Sequence, residues 1–289
     1  MLAGAQIAVG AAAIFARMGL SGAPPVAVAA WRLLIAAAVL GCIAALSPRG
    51  RSVPHGDTKI FLGAGIALAL HFASWIWSLD YTSVAVSTLL VATTPIWTAL
   101  YDSFVYERYL SLVAWLAFLV GAAGLVLVVG FNVTRPPVPG HELLGDGLAR
   151  FGAIAIGAYF ILVREVRADY GTRAIVTRTY SWAALVLLIG SVAAHQWPPA
   201  FSDGRAWGGI IAMALISQLL GHTALNASLR WFSPSAVSMT SLLEPIAAAI
   251  LALVLFGETL TPLALCGGVL VLIAIGAFLR EESRAIPQA

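Results

Sequence analysis

Apolar residues fall into ten long stretches along this 289-residue chain, at about 3–20, 24–46, 59–79, 82–104, 110–131, 147–164, 174–194, 206–228, 235–256 and 262–280. Each is close to the roughly 20 residues a helix needs to cross a hydrocarbon core of about 30 Å. Backbone polar groups in lipid must be satisfied internally, and these stretches are too long and continuous for barrel strands. The expected fold is therefore all-α, an integral membrane protein of ten transmembrane helices. No basic region precedes the first stretch, which reads as a retained span rather than a cleaved signal.

Composition sharpens this reading. Hydrophobic residues make up 61% of the chain and charged residues 10%, against about a quarter charged in a soluble protein. A soluble globule of this size has no core large enough for that much apolar surface. The formal charge of +3 does not imply nucleic acid, because the cations sit in loops rather than on one face. Cys42 and Cys266 both fall within spans, so no disulfide framework is indicated.

Lysine and arginine set the orientation. With the N-terminus in the cytoplasm, Arg49, Arg51, Lys59, Arg108, Arg164, Arg167, Arg173, Arg178, Arg230, Arg280 and Arg284 lie inside, 11 of the 16. The other 5 are Arg17, Arg32, Arg135, Arg150 and Arg205. A bacterial-type inner (plasma) membrane protein with both termini cytoplasmic is expected. The stretch Asn132 to Asp146, with Pro136, Pro137, Pro139 and Gly140, reads as a linker between halves rather than a gate. The expected organisation is a first repeat at 1–131, a linker at 132–146, a second repeat at 147–281 and a cytoplasmic tail at 282–289.

The two halves resemble each other. A shift of 151 residues places His71 on His222, Ala73 on Ala224, Tyr81 on Phe232, Ala85-Val86-Ser87 on Ala236-Val237-Ser238, and Glu107 on Glu258. A shift of 150 places Pro95 on Pro245, so the register slips once. Histidine occurs five times in the chain, which makes the histidine pair the least trivial match. Five helices per half is odd, so the second half starts on the opposite side and is inverted. Inverted repeats around a midplane site are an architecture of secondary transporters.

Several motifs carry a family resemblance. Trp31-Arg32-Leu33-Leu34 in the second span, Thr94-Pro95 followed by Glu107-Arg108, and Glu244-Pro245 followed by Gly257-Glu258-Thr259-Leu260-Thr261 are similar to signatures of the EamA family of the drug/metabolite transporter superfamily. The resemblance runs over nearly the whole chain. Its size and aromatic-rich spans also resemble the YddG-type exporters of aromatic and other hydrophobic amino acids. The resemblance implies that spans one to four and six to nine build a central cavity, with spans five and ten peripheral. It implies alternating access and, as leading substrates, neutral and aromatic amino acids.

Candidate site residues follow from polarity inside the spans, where buried polar groups are costly. Gln218, His222 and Asn226 recur every four residues on the eighth span and form one stripe. His71, Trp75 and Ser78 share a face of the third span, and Trp97 and Tyr101 of the fourth offer stacking surfaces. These residues either line a cavity or simply tie helices together. Glu244 is the one acid near the centre of a span. It is a proton carrier, an acceptor for a substrate ammonium, or a cap on a broken helix. Arg32 either attracts a carboxylate or pairs within the bundle. Pro95 and Pro245 are candidate hinges that free the carbonyls of Val91 and Ser241, unless Ser and Thr neighbours satisfy them.

Other classes fare worse. Gly19-Leu20-Ser21-Gly22 matches a short motif of intramembrane serine proteases but ends the first span before Pro24-Pro25. There is no His-Glu-x-x-His, metal cluster or phosphate loop, so neither an enzyme nor a cofactor is expected. A channel would need rings of charge or carbonyls, and phosphorylated substrates would want several central cations. Helix 1 has only a small-residue stripe, Gly4, Ala8, Ala12 and Ala16, so the first-helix glutamate mechanism of small multidrug exporters does not carry over. The expected partners are a small-molecule substrate and the lipid bilayer, with no nucleic acid. An ion gradient, protons included, is one of two energy sources open to it.

Overall fold

The computed structural model describes residues 2–46, 55–107, 109–129, 140–256 and 261–285. Arg49, Arg51, Arg108, Arg135, the linker from Asn132 to Pro139, and Gly257-Glu258-Thr259-Leu260 lie outside the described residues. Every regular element among the described residues is helical. Among the described residues, nine segments are long and apolar enough to cross a bilayer.

The first span is α1 (Leu2–Gly10) running into α2 (Ala12–Leu20), followed by α3 (Pro25–Ala45) and α4 (His55–Tyr81). The stretch expected at 82–104 is two helices, α5 (Val84–Val91) and α6 (Thr94–Tyr106), each too short to span alone. Next come α7 (Leu112–Val129), α8 (Glu142–Val166) and α9 (Thr172–Ala193). The eighth segment begins as α10 (Gly204–Ala212), widens into a π-helix over Met213–His222 and closes as α11 (Thr223–Ser228). The ninth runs α12 (Pro234–Met239), a 3-10 turn at Thr240–Leu243 and α13 (Glu244–Phe256), and α14 (Pro262–Ala285) is last.

The two interrupted segments begin alike. Ser83 and Ser233 are extended N-caps whose hydroxyls accept from the amides of Val86 and Ala236, each at 3.1 Å. That satisfies donors a helix start leaves open. Both break where a proline follows. Pro95 and Pro245 stand in the first turns of α6 and α13, where a missing amide donor costs least. The carbonyl freed by Pro95, that of Val91, takes the Thr94 hydroxyl at 2.7 Å. The Ser241 carbonyl takes the Glu244 amide. Threonine and a tightened turn thus satisfy both carbonyls.

Packing relations recur between the halves. α4 lies along α8, while α1 and α2 lie along the π segment and α10. α5 and α6 contact α8, and α13 contacts α1. α3 packs on α9 and α7 on α14. Close approach depends on glycine at the last pair: a Cβ on Gly124 would lie 2.7 Å from the Gly267 carbonyl, and one on Gly267 would lie 2.5 Å from that of Gly124. Small residues at membrane helix crossings allow such contact. The outer faces of these two helices expose Leu116, Leu119, Leu272 and Ile273, which suits lipid and not water.

Candidate functional site

The two helix breaks and the middle of α1, α3 and α4 surround one cavity. It contains about 760 Å³ of space not filled by atoms, counted to its open mouth. α1 contributes Gln6, Val9 and Gly10, α2 contributes Ala12 and Ala13, α3 contributes Arg32, and α4 contributes His71, Phe72 and Trp75. Val84, Thr88, Val91 and Thr94 come from the first interrupted segment, and Ile156 and Phe160 from α8. His222, Leu225, Val237, Ser238, Ser241, Glu244 and Ala248 close it. α7, α9 and α14 supply none of these residues. For α9 this differs from the eight-span cavity that the resemblance implies, because α9 packs behind α3 and α4.

Arg32 is fully buried. Its Nε donates to Gln218 Oε1 at 3.1 Å, and its guanidinium carbon lies 3.8 Å from the centre of the Phe72 ring. Its Nη1 and Nη2, Gln218 Nε2, His222 Nδ1 and Ser241 Oγ have no hydrogen-bond partner in the protein. Glu244 faces the same cavity from the first turn of α13, the positive end of that helix dipole. With its nitrogen turned to the acid, the Gln6 amide donates to Glu244 Oε1 at 3.1 Å while its oxygen meets the Ser241 amide at 3.2 Å.

The two histidines differ. His71 Nδ1 lies 2.9 Å from the Gly152 carbonyl, which can only accept, so Nδ1 carries the proton there. His222 makes no such bond through its Nδ1. The rings stand 6.5 Å apart, each against Phe72, at 4.8 and 5.1 Å between centroids. Trp75 stacks with His71 at 6.4 Å.

Of the nine residues expected at the site, His71, Trp75, His222 and Glu244 share the cavity wall. Gln218 stands behind it, holding Arg32. Ser78 bonds to Ser87 Oγ at 2.7 Å, tying α4 to α5. Asn226 bonds to the His222 carbonyl at 2.7 Å and accepts from Tyr159 at 2.8 Å. Trp97 donates to Thr93 Oγ1 at 3.2 Å, and the Tyr101 ring packs on Tyr106 at 6.0 Å. None of these last four lines the cavity. On the eighth span Gln218 and His222 fall within the π segment and Asn226 in α11 beyond it, and of the three only His222 lines the cavity. Sequence reasoning missed Gln6 and Phe72 as wall residues. Phe72 carries no polarity signal, although its place between His71 and Trp75 was a hint.

A second, wider depression of about 1710 Å³ lies near the far end of α6. There Arg164 of α8 and Asp102 of α6 pair at 2.8 Å, with Arg230 and Glu282 nearby in the wall. No group of three His, Cys, Asp or Glu side chains among the described residues is placed to hold a metal ion.

Among the described residues, nine apolar helical segments are long enough to cross a bilayer and six of them border one partly polar cavity, which defines a multi-pass membrane protein. The sequence profile of the EamA-like transporter family matches residues 1–130 and 143–280, and the chain belongs to that family. It is 24% identical over 257 residues to a protein of Bacillus subtilis named as the uncharacterized transporter YdfC, covering 88% of this chain and 81% of that one. It is 24% identical over 240 residues to the pseudopaline exporter CntI of Pseudomonas aeruginosa, covering 81% and 79%. A solved crystal structure superposes with a TM-score of 0.79 at 15% identity, covering 98% of this chain and 97% of that one.

Proposed function

We propose that the protein is a secondary exporter of small amphipathic metabolites, with neutral and aromatic amino acids as the leading substrates. It works by alternating access, built from ten spans in two inverted five-helix repeats. The observation that carries this reading is the cavity itself, walled by both halves and holding unpaired polar groups beside Phe72 and Trp75. Polar atoms that fix orientation within a largely apolar wall are what a small-solute site needs. The recurrence of helix contacts between the halves, the matching serine caps and the two proline breaks support the repeat. Both termini lie in the cytoplasm, and the membrane is a bacterial-type inner membrane. Energy comes from the substrate's own gradient or from an ion gradient, with Glu244 the residue placed to carry a proton.

Counterflow in proteoliposomes tests this. Vesicles loaded with one unlabelled amino acid at a time take up labelled phenylalanine or tryptophan, with and without an imposed pH gradient. Saturable, competable uptake is expected. Its absence with folded protein removes the amino-acid reading. The likeness to an exporter of another metabolite favours a wider metabolite range as the second reading, which the same vesicles test with other loaded solutes.

A further inference from the structure

The donors around Arg32 have no acceptor. Arg32 Nη1 and Nη2 and Gln218 Nε2 can only donate, and Ser241 Oγ and His222 Nδ1 can donate or accept. All five are buried without a partner in the protein, and Arg32, His222 and Ser241 reach the cavity wall. The one acid in that wall, Glu244, does not pair with Arg32: no contact within 4 Å joins them. Glu244 acts on the guanidinium only at a distance across the cavity, and a buried charge with no directly hydrogen-bonded partner is strongly unfavourable. Here it is held in place from two sides, by Gln218 Oε1 at 3.1 Å on Nε and by the Phe72 ring at 3.8 Å. Both anchors leave the paired terminal nitrogens unused. That paired edge matches the two oxygens of a carboxylate.

We propose that Arg32 is the anion receptor of the cavity, binding the carboxylate of a singly charged substrate through Nη1 and Nη2. His222 and Ser241 stand as neighbouring donors, and Gln218 acts as the residue that positions the guanidinium. One cation neutralises one negative charge, so a dianion such as inorganic phosphate is disfavoured in this apolar setting. The substrate class is a small monocarboxylate with an apolar or aromatic body that fits against Phe72 and Trp75. This rests on the transport reading of the same cavity and adds the group it recognises.

The test uses the full-length protein in nanodiscs, with quenching of tryptophan fluorescence and thermal shift as readouts. The probes are phenylalanine, 3-phenylpropionate, phenylalanine methyl ester and phenylethylamine. At least one of the two carboxylates is expected to bind about ten-fold or more tightly than the ester and the amine, because removing the acceptor leaves buried donors unpaired. Arg32→Gln should erase that preference, and Arg32→Lys should weaken it. Gln218→Leu should lower carboxylate affinity while keeping the ranking. Equal binding of acid and ester by the wild type, or no binding of either carboxylate, overturns the proposal without any variant. So does a folded Arg32→Gln protein that keeps the preference. Saturable counterflow of a solute lacking a carboxylate, with no carboxylate binding, ends this proposal and leaves the transport reading standing. Carboxylate binding with no counterflow of any bound solute does the reverse.

Discussion

Arg32 and Phe72 are in direct contact, guanidinium carbon to ring centre at 3.8 Å, and both histidines of the cavity lean on the same ring. Phe72 therefore fixes three polar side chains through its faces and edges. A cation over an aromatic ring is worth about 0.5–2 kcal/mol, more when desolvated. Phe72→Leu keeps an apolar side chain of lesser volume and removes the π face. Binding of a carboxylate probe should weaken roughly ten-fold, measured by fluorescence titration, with the ester's affinity changing less. An equal loss for both would assign Phe72 to general packing.

The Asp102–Arg164 pair links α6 to α8 at 2.8 Å, with side chains 12% and 22% exposed. Such partial burial makes it worth more than a surface pair and less than a fully buried one. Asp102→Asn should lower stability by about 1–2 kcal/mol. In the double variant with Arg164→Gln, the loss should be smaller than the two single losses added. Unfolding midpoints of the four proteins in a double-mutant cycle check this, and strict additivity would mean that the pair contributes no coupling.

Hydropathy made the long helices legible because span length is set by bilayer thickness, and lipid enforces a backbone satisfied within the segment. The proline breaks at Pro95 and Pro245 were legible for a similarly local reason, the missing amide donor. The cavity was half legible. His71, Trp75, His222 and Glu244 stood out as polar or aromatic residues in apolar segments, and they share one wall. Ser78 and Asn226 stood out equally and instead hold helices together, since a buried hydroxyl or amide bonds wherever a partner lies nearest. What no local pattern revealed is the π winding at Met213–His222, a segment that packs against α1. A Cβ on Gly221 would lie 2.7 Å from Val9 Cγ2.

The Gly124–Gly267 crossing brings the backbones of α7 and α14 together away from the cavity. A methyl group at either position meets a carbonyl oxygen well inside contact distance, and overpacking of this kind costs about 1–3 kcal/mol. Gly267→Ala should lower the unfolding midpoint by several degrees while leaving carboxylate affinity unchanged, because neither helix supplies a cavity residue. Thermal melts and binding titrations on one preparation read both quantities. A matching loss of affinity would show that the crossing positions the site.

The break between α5 and α6 offers a test in which two variants must interact. Pro95 has no amide to give to the Val91 carbonyl, and the Thr94 hydroxyl takes that carbonyl at 2.7 Å. Thr94→Val leaves the carbonyl without that donor, and a buried unpaired acceptor costs about 1–3 kcal/mol. Pro95→Ala restores an amide four residues on from Val91, so the helix can run through the break. In that background Thr94→Val should cost far less, because the new amide already holds the carbonyl. Melting midpoints of the two single variants and the double variant measure this coupling. If the break is also a hinge, Pro95→Ala should slow counterflow several-fold with substrate affinity unchanged, since straightening the segment removes the bend that reopens the cavity. Exchange at the wild-type rate by a folded Pro95→Ala protein would limit the proline to packing.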